Sequence, residues 1–472
     1  MKIAALMLLA ARHPCEPCHA DLVRKYAQTP MAQTSGPVEN TPPGGFTANG
    51  FRYSIKGQTL TFGSESRQLA YYVGSGNAAR SYLLSVDQFL YEAPATYYTR
   101  TQAWGLSPGY QRYSVPFLTR AIAPACLECH ATGVQAIAGT QNGYRSPPFL
   151  KGGIDCERCH PPEGNHFLKP GHDVCAQCHL SGEIRVGSTA FVRATDSPGM
   201  KVTSHVENLA QSACARNSEG RLWCGTCHDP HSVPIDKVTY YRSKCRTCHE
   251  PSVCKRGDNC IACHMPSSAV TDAEHVVYTD HSIPRRPVAR NRKPPADAEL
   301  VAFGGAPASS RDLGLAYAIV ALREQNAVYS QRAFDLLSRN QDDPQSIAYL
   351  ADIYRSRKDD RTAETLYRKL YALDKTESSA PANLGAYAMD HGKNEEAVRL
   401  FEEALRISPA LVAVRYNLAL ALIRTGRPAE AIPVLEKALV FDPYFKAARD
   451  LLTQVRVSNA VRDTRNRWPG PK

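Results

Sequence analysis

Seven times in 472 residues, two cysteines separated by two residues are followed at once by a histidine. The seven are Cys15, Cys18 and His19; Cys126, Cys129 and His130; Cys156, Cys159 and His160; Cys175, Cys178 and His179; Cys224, Cys227 and His228; Cys245, Cys248 and His249; and Cys260, Cys263 and His264. A C-x-x-C pair alone serves zinc, thiol exchange or haem attachment. Neither zinc knuckles nor dithiols need histidine in the next position, yet all seven pairs carry it although histidine is only 15 of the 472 residues. Covalent haem does need it, because two thioethers hold the porphyrin while the adjacent imidazole becomes the proximal iron ligand. Seven haem c groups are therefore expected, with the seven histidines as proximal ligands and paired zinc knuckles as the alternative.

The other side of each iron decides its use: a second side-chain ligand suits electron transfer, whereas an open position admits a substrate. Eight further histidines are present, and His391, in "MDHGK", reads as a surface residue. The other seven all fall in the cysteine-rich part. His231 lies three residues beyond His228 and points away from the same iron, so a neighbouring haem is its expected partner. His166, His205, His275 and His281 are expected as distal ligands in the same way, the alternative being imidazoles bonded to propionates or exposed to water. His172 and His13 fit either role. Met31 competes with His13 for the first haem, where a thioether ligand would raise the potential, or else packs on the ring.

A chain of this length exceeds what one core organises, so two or three domains are expected. Fourteen of the 16 cysteines sit in the signatures. Cys214 and Cys254 remain, as a disulfide or as two thiols. The formal charge of +11 would suggest nucleic acid or an anionic membrane. Propionates change that sum, taking the oxidised holoprotein to about +4 and the reduced one to about −3. No nucleic-acid partner is expected, and membrane association would be peripheral.

Residues 1–11, "MKIAALMLLAA", have the grammar of a short or truncated signal segment. No later stretch is apolar for long enough to span a bilayer as a helix. Covalent haem attachment outside the cytoplasm then implies the periplasm or the cell exterior, with an uncleaved anchor as the other option. Residues 12–283 read as a seven-haem cytochrome c domain, mostly α or irregular and packed on its porphyrins, with a β-rich insert over 46–115 where "GFRYSIKGQTLTFG" and its neighbours alternate and are punctuated by glycine. The last six signatures are spaced by 15 to 49 residues, too little chain to wrap each haem separately. Residues 284–310, with five basic residues and five prolines, have linker composition.

From 311 to 460 the sequence repeats every 34 residues: Leu350, Leu384 and Leu418; Ala363, Ala397 and Ala431; Gly392 and Gly426; Pro409 and Pro443. This resembles the tetratricopeptide repeat, which implies an all-α solenoid of about four helix pairs plus a capping helix over 444–457, before a tail at 461–472. Lys358 in place of glycine and Lys375 in place of proline depart from the pattern. Residues 12–285, through "GIDCERCHPPEGNH", "SHVENLAQSAC", "LWCGTCHDPH", "CIACHMP" and "TDHSIPRR", resemble multihaem cytochromes c of the cytochrome c-554 type and, more distantly, ammonia-forming nitrite reductase and hydroxylamine oxidoreductase. The resemblance implies stacked haem pairs, bis-histidine ligation through His166, His205, His231, His275 and His281, and periplasmic electron transfer between a donor and an acceptor protein. The alternative is a multihaem oxidoreductase acting on a nitrogen or sulfur oxyanion at a five-coordinate haem, for which Arg185, Tyr240 and Tyr241 are available. The repeats imply docking of a partner or self-association, and deleting 311–472 is expected to leave haem spectra intact.

Overall fold

The computed structural model describes residues 15–163, 166–167, 171–195, 201–251, 257, 259–270, 272–273, 275–286, 295, 297–305 and 307–466. Its first folded layer is a pair of antiparallel sheets. In the four-stranded meander Gly44–Ala48, Phe51–Lys56, Thr59–Phe62 and Glu65–Gln68, alternate residues point inward, so Tyr53, Ile55, Leu60 and Phe62 are buried while Arg52, Ser54 and Lys56 face water. Asn49 and Gly50, both with positive φ, make the tight hairpin that joins its first two strands. The second sheet runs in the order Ser35–Pro37, Tyr71–Val73, Ala79–Val86, Phe89–Tyr98 and Ala103–Leu106. It is buried on both faces. Leu84, Ala93 and Ala95 face the meander across a shared core, whereas Leu83 and Leu90 meet Leu127, Tyr144 and Phe149 on the far side. The strands thus begin at Ser35, ahead of residue 46 where the alternating pattern starts.

Between Pro124 and His281 the described residues form short helices and small antiparallel sheets of two or three strands. The signature turns punctuate this stretch. No helix among the described residues is long and apolar enough to cross a membrane.

Nine helices follow among the described residues: Ser310–Glu324, Ala327–Leu337, Pro344–Ser356, Asp360–Leu373, Ser379–Asp390, Asn394–Ile407, Val412–Arg424, Pro428–Phe441 and Lys446–Asn466. Side chains of Ser309, Asn326, Asp343 and Asp359 cap the first four, accepting bonds from backbone N–H groups of the first turn. The 34-residue positions are packing positions: Ala363, Ala397 and Ala431 are fully buried where helices cross, and Leu350, Leu384 and Leu418 are nearly so. Gly392 and Gly426 end their helices with φ of 73° and 79°, and Lys358 adopts the same left-handed turn at φ 66°.

The solenoid is held to the rest of the chain at both ends. At its start, strands Ile184–Val186, Thr189–Arg193 and Leu300–Ala302 form a sheet whose Val186, Phe191, Leu300 and Ala302 share a core with Leu315, Tyr317 and Val320. The stretch expected as a linker therefore ends in a paired strand. An ionic group around buried Arg193 reinforces the contact: Arg193 lies 2.6 Å from Glu324 and 3.5 Å from Glu183, and Glu183 also meets Lys201 at 2.8 Å and Arg323 at 3.1 Å. At its other end, Tyr91 packs on Phe441, the Leu118 N–H donates to the Phe441 carbonyl at 2.7 Å, and the Gln141 N–H donates to Ile407 at 3.0 Å.

Candidate haem-binding sites

Each signature lies in or beside a helix, a single turn in five of them and the longer helices Glu16–Tyr26 and Lys237–Arg246 in the other two. The histidine N–H donates to the carbonyl of the first cysteine in five of them, at 2.9 Å for His19, 2.8 Å for His160, 2.9 Å for His179, 2.9 Å for His228 and 3.0 Å for His249. His264 closes the helix Cys260–His264, and His130 donates to Leu127 just after the helix Pro124–Glu128. Residues one, four and five of a turn share a face, so both thiols and the imidazole are presented together. Different signatures also approach each other: the free thiols of Cys129 and Cys178, and of Cys175 and Cys224, are neighbours. The thiols of different signatures therefore lie side by side.

The histidines expected as proximal and distal ligands converge in part. His160 and His231 stand with ring centroids 5.9 Å apart and planes 24° apart, and His228 and His281 stand at 6.2 Å and 30°. Two imidazoles bonded from opposite sides of one metal, at about 2 Å per bond, would have centroids about 6 Å apart. His205 lies 5.0 Å from His179 and 4.9 Å from His281, so four imidazoles from four parts of the chain, with His228, form one group with Tyr278 against it at 4.7 Å. Burial holds His130, His179, His228 and His281 below the ordinary imidazole pKa. Burial, with three imidazoles nearby, takes His205 down to about 3. All five are neutral at pH 7, the form that ligates iron.

The other candidates are placed differently. Met31 opens the short helix Met31–Gln33, and its carbonyl accepts from Ile154, which ties it to the turn before Cys156. His172 is exposed and stacks on Trp223 at 4.6 Å, just ahead of the fifth signature. His275 packs edge-on against Tyr98 at 5.1 Å, on the β layers. The backbone of His166 pairs with Glu163 in a two-residue ribbon. His13 and Cys254 lie outside the described residues.

These residues fit haem c. The signature turns offer two thiols and an imidazole on one face, and the ring nitrogens are oriented as ligands require: Nδ1 of His264 lies 3.0 Å from the Pro284 carbonyl, Nδ1 of His281 2.7 Å from that of Thr279, and Nδ1 of His231 3.3 Å from the Asp229 carboxylate, leaving Nε2 for a metal. Buried His130 and His205 keep ring nitrogens that no protein group satisfies.

Sequence reasoning missed the groups that hold the ligands. Thr34 and Ser35 donate hydroxyl bonds to the His130 carbonyl at 2.8 Å and 2.6 Å, and the Tyr241 hydroxyl sits 3.1 Å from Nδ1 of His228. No spacing announces either. Arg185, available on paper for an oxyanion, donates instead to the Ala176, Gln177 and Leu180 carbonyls beside the fourth signature.

Residues 111–161, which hold the second and third signatures, match the family described as cytochrome c554 and c-prime. Residues 346–381 and 388–455 match tetratricopeptide repeats. The chain is similar to the multiheme cytochrome MtrA of Shewanella baltica (strain OS185), 24% identical over 169 residues that make up 32% of this chain and 48% of that protein. It thus spans about half the length of that relative. Similar solved structures include MamA, 17% identical over 31% of this chain and 86% of that one with a TM-score of 0.27, and Pseudomonas aeruginosa pilF, 22% identical over 32% and 69% with a TM-score of 0.27. The sequence matches and the helices define a protein in two parts: a c-type multihaem cytochrome region, which implies covalent haem c, and a C-terminal helical solenoid of tetratricopeptide type, a class built for protein contacts.

Proposed function

We propose that the protein is an exported electron carrier of the cytochrome c-554 lineage, binding seven haem c groups through its seven signatures, with the solenoid docking a redox partner or a second copy. Haem iron, when bound, supplies the one-electron couple. The chain's own residues fix where it sits. His160 with His231 and His228 with His281 are the ligand pairs this reading takes, while His205, His166, His275, His172, His13 and Met31 remain for the other signatures.

The observation that carries the reading is the single group formed by His179, His205, His228 and His281, which brings ligands of two signatures within contact distance. Ligands that close serve neighbouring centres, as a conductive chain requires. Saturation by histidine on both sides also favours electron transfer over substrate binding.

Electron paramagnetic resonance and resonance Raman spectra of the oxidised protein test this, with mass spectrometry counting seven haems on the polypeptide. Low-spin iron throughout is the expected result. A high-spin centre that shifts with nitrite or hydroxylamine would replace the carrier by an oxyanion reductase, and a colourless protein would end both readings.

A further inference from the structure

Four ligand histidines have their Nδ1 atoms held, and the partners differ in kind. Asp229 offers His231 a carboxylate at 3.3 Å, Pro284 and Thr279 offer His264 and His281 backbone carbonyls at 3.0 Å and 2.7 Å, and Tyr241 offers His228 a phenol at 3.1 Å. The acceptor behind a ligating imidazole sets how much electron density the ring passes to its metal: a carboxylate makes the ring most basic and favours the oxidised metal, a carbonyl does so less, and a neutral hydroxyl least.

Asp229 is built for its part. Its carboxylate accepts from the Ser232 hydroxyl at 2.6 Å and from the His231 N–H at 2.9 Å, so its position is fixed from three sides. Tyr241 is placed by the helix Lys237–Arg246, which Asp236 caps by accepting from Val238 and Thr239; its ring meets His228 at 69° with centroids 5.4 Å apart. Both residues belong to the segment around the fifth signature. They address two different ligand pairs.

We propose that Asp229 and Tyr241 are positioning residues that offset two neighbouring centres: Asp229 lowers the potential of the iron held by His160 and His231, and Tyr241 leaves that held by His228 and His281 higher. The inference rests on the ligand pairs of the carrier reading and adds an order of filling, in which the His228 site accepts an electron before the His160 site. Side chains rather than backbone provide the offset, so it responds to substitution.

The test is spectroelectrochemical titration of the holoprotein and its variants, with haem content and low-spin resonance signals measured on the same samples. Asp229→Asn is expected to raise one midpoint potential by about 59 mV, a tenfold change in that one-electron equilibrium, and to leave the other six in place. Asp229→Glu retains the charge and is expected to restore the low value. Tyr241→Phe removes the hydroxyl without changing the ring and is expected to raise a different single midpoint. Variants that carry the full haem complement with every midpoint unmoved would overturn the inference while leaving the carrier reading standing. Wild-type protein without haem would instead remove the carrier reading itself.

Discussion

Tyr91 of the strand Phe89–Tyr98 packs edge-on against Phe441, the last residue of the helix Pro428–Phe441, with ring centroids 5.2 Å apart and both side chains fully buried. The contact joins the β layers beneath the second and third signatures to the far end of the solenoid. With the sheet and ionic group at Arg193, it makes the repeats a brace across the cytochrome region.

Phe441→Ala is accordingly expected to destabilise the whole chain by about 3–5 kcal/mol, as for loss of a buried aromatic side chain, and to lower the thermal midpoint read by haem absorbance and by far-ultraviolet circular dichroism together. Deletion of 311–472, which composition alone suggests would spare the haem spectra, is expected to perturb them, because Tyr91, Phe191 and Leu300 lose their cover. Unchanged spectra and melting after deletion would show that the two attachments are dispensable.

On the carrier reading, His231→Ala should convert one centre from low to high spin, visible by electron paramagnetic resonance. His391→Ala, at an exposed turn of the solenoid, should leave every signal in place.

Glu183 predicts an acid transition. Burial pushes its carboxyl up, but Lys201, Arg193 and Arg323 outweigh burial and hold it below the ordinary value. A depressed folded pKa stabilises the protein above the unfolded value, and that contribution fades as pH falls through the folded one. Melting temperature should therefore fall below about pH 4. Glu183→Gln should flatten that part of the curve and cost about 2 kcal/mol at pH 7 through the charged bonds from Lys201 and Arg323, since Arg193 keeps Glu324 at 2.6 Å.

Lys358 occupies a left-handed turn where the corresponding residues are Gly392 and Gly426. A side chain there costs about 1–2 kcal/mol, partly offset by the entropy that glycine loses on folding. Lys358→Gly should stabilise the solenoid by about 1 kcal/mol in denaturant unfolding.

Two things were legible from the residues alone, and both are local. The signature needs only one helical turn to bring Cys224, Cys227 and His228 onto one face, and the 34-residue repeat needs only adjacent helices, so spacing encodes each directly. Alternation likewise marked strands such as Phe51–Lys56. Tertiary structure alone decided which histidines meet. His231 reaches His160 rather than a nearer signature, His281 comes between His205 and His228, and His275 packs on Tyr98 in the β layers. It also set the phenol of Tyr241 behind His228 and turned the end of a proline-rich stretch into the strand Leu300–Ala302. These contacts join segments far apart in the chain, and their partners are chosen by how whole layers pack, a property no short window of sequence contains.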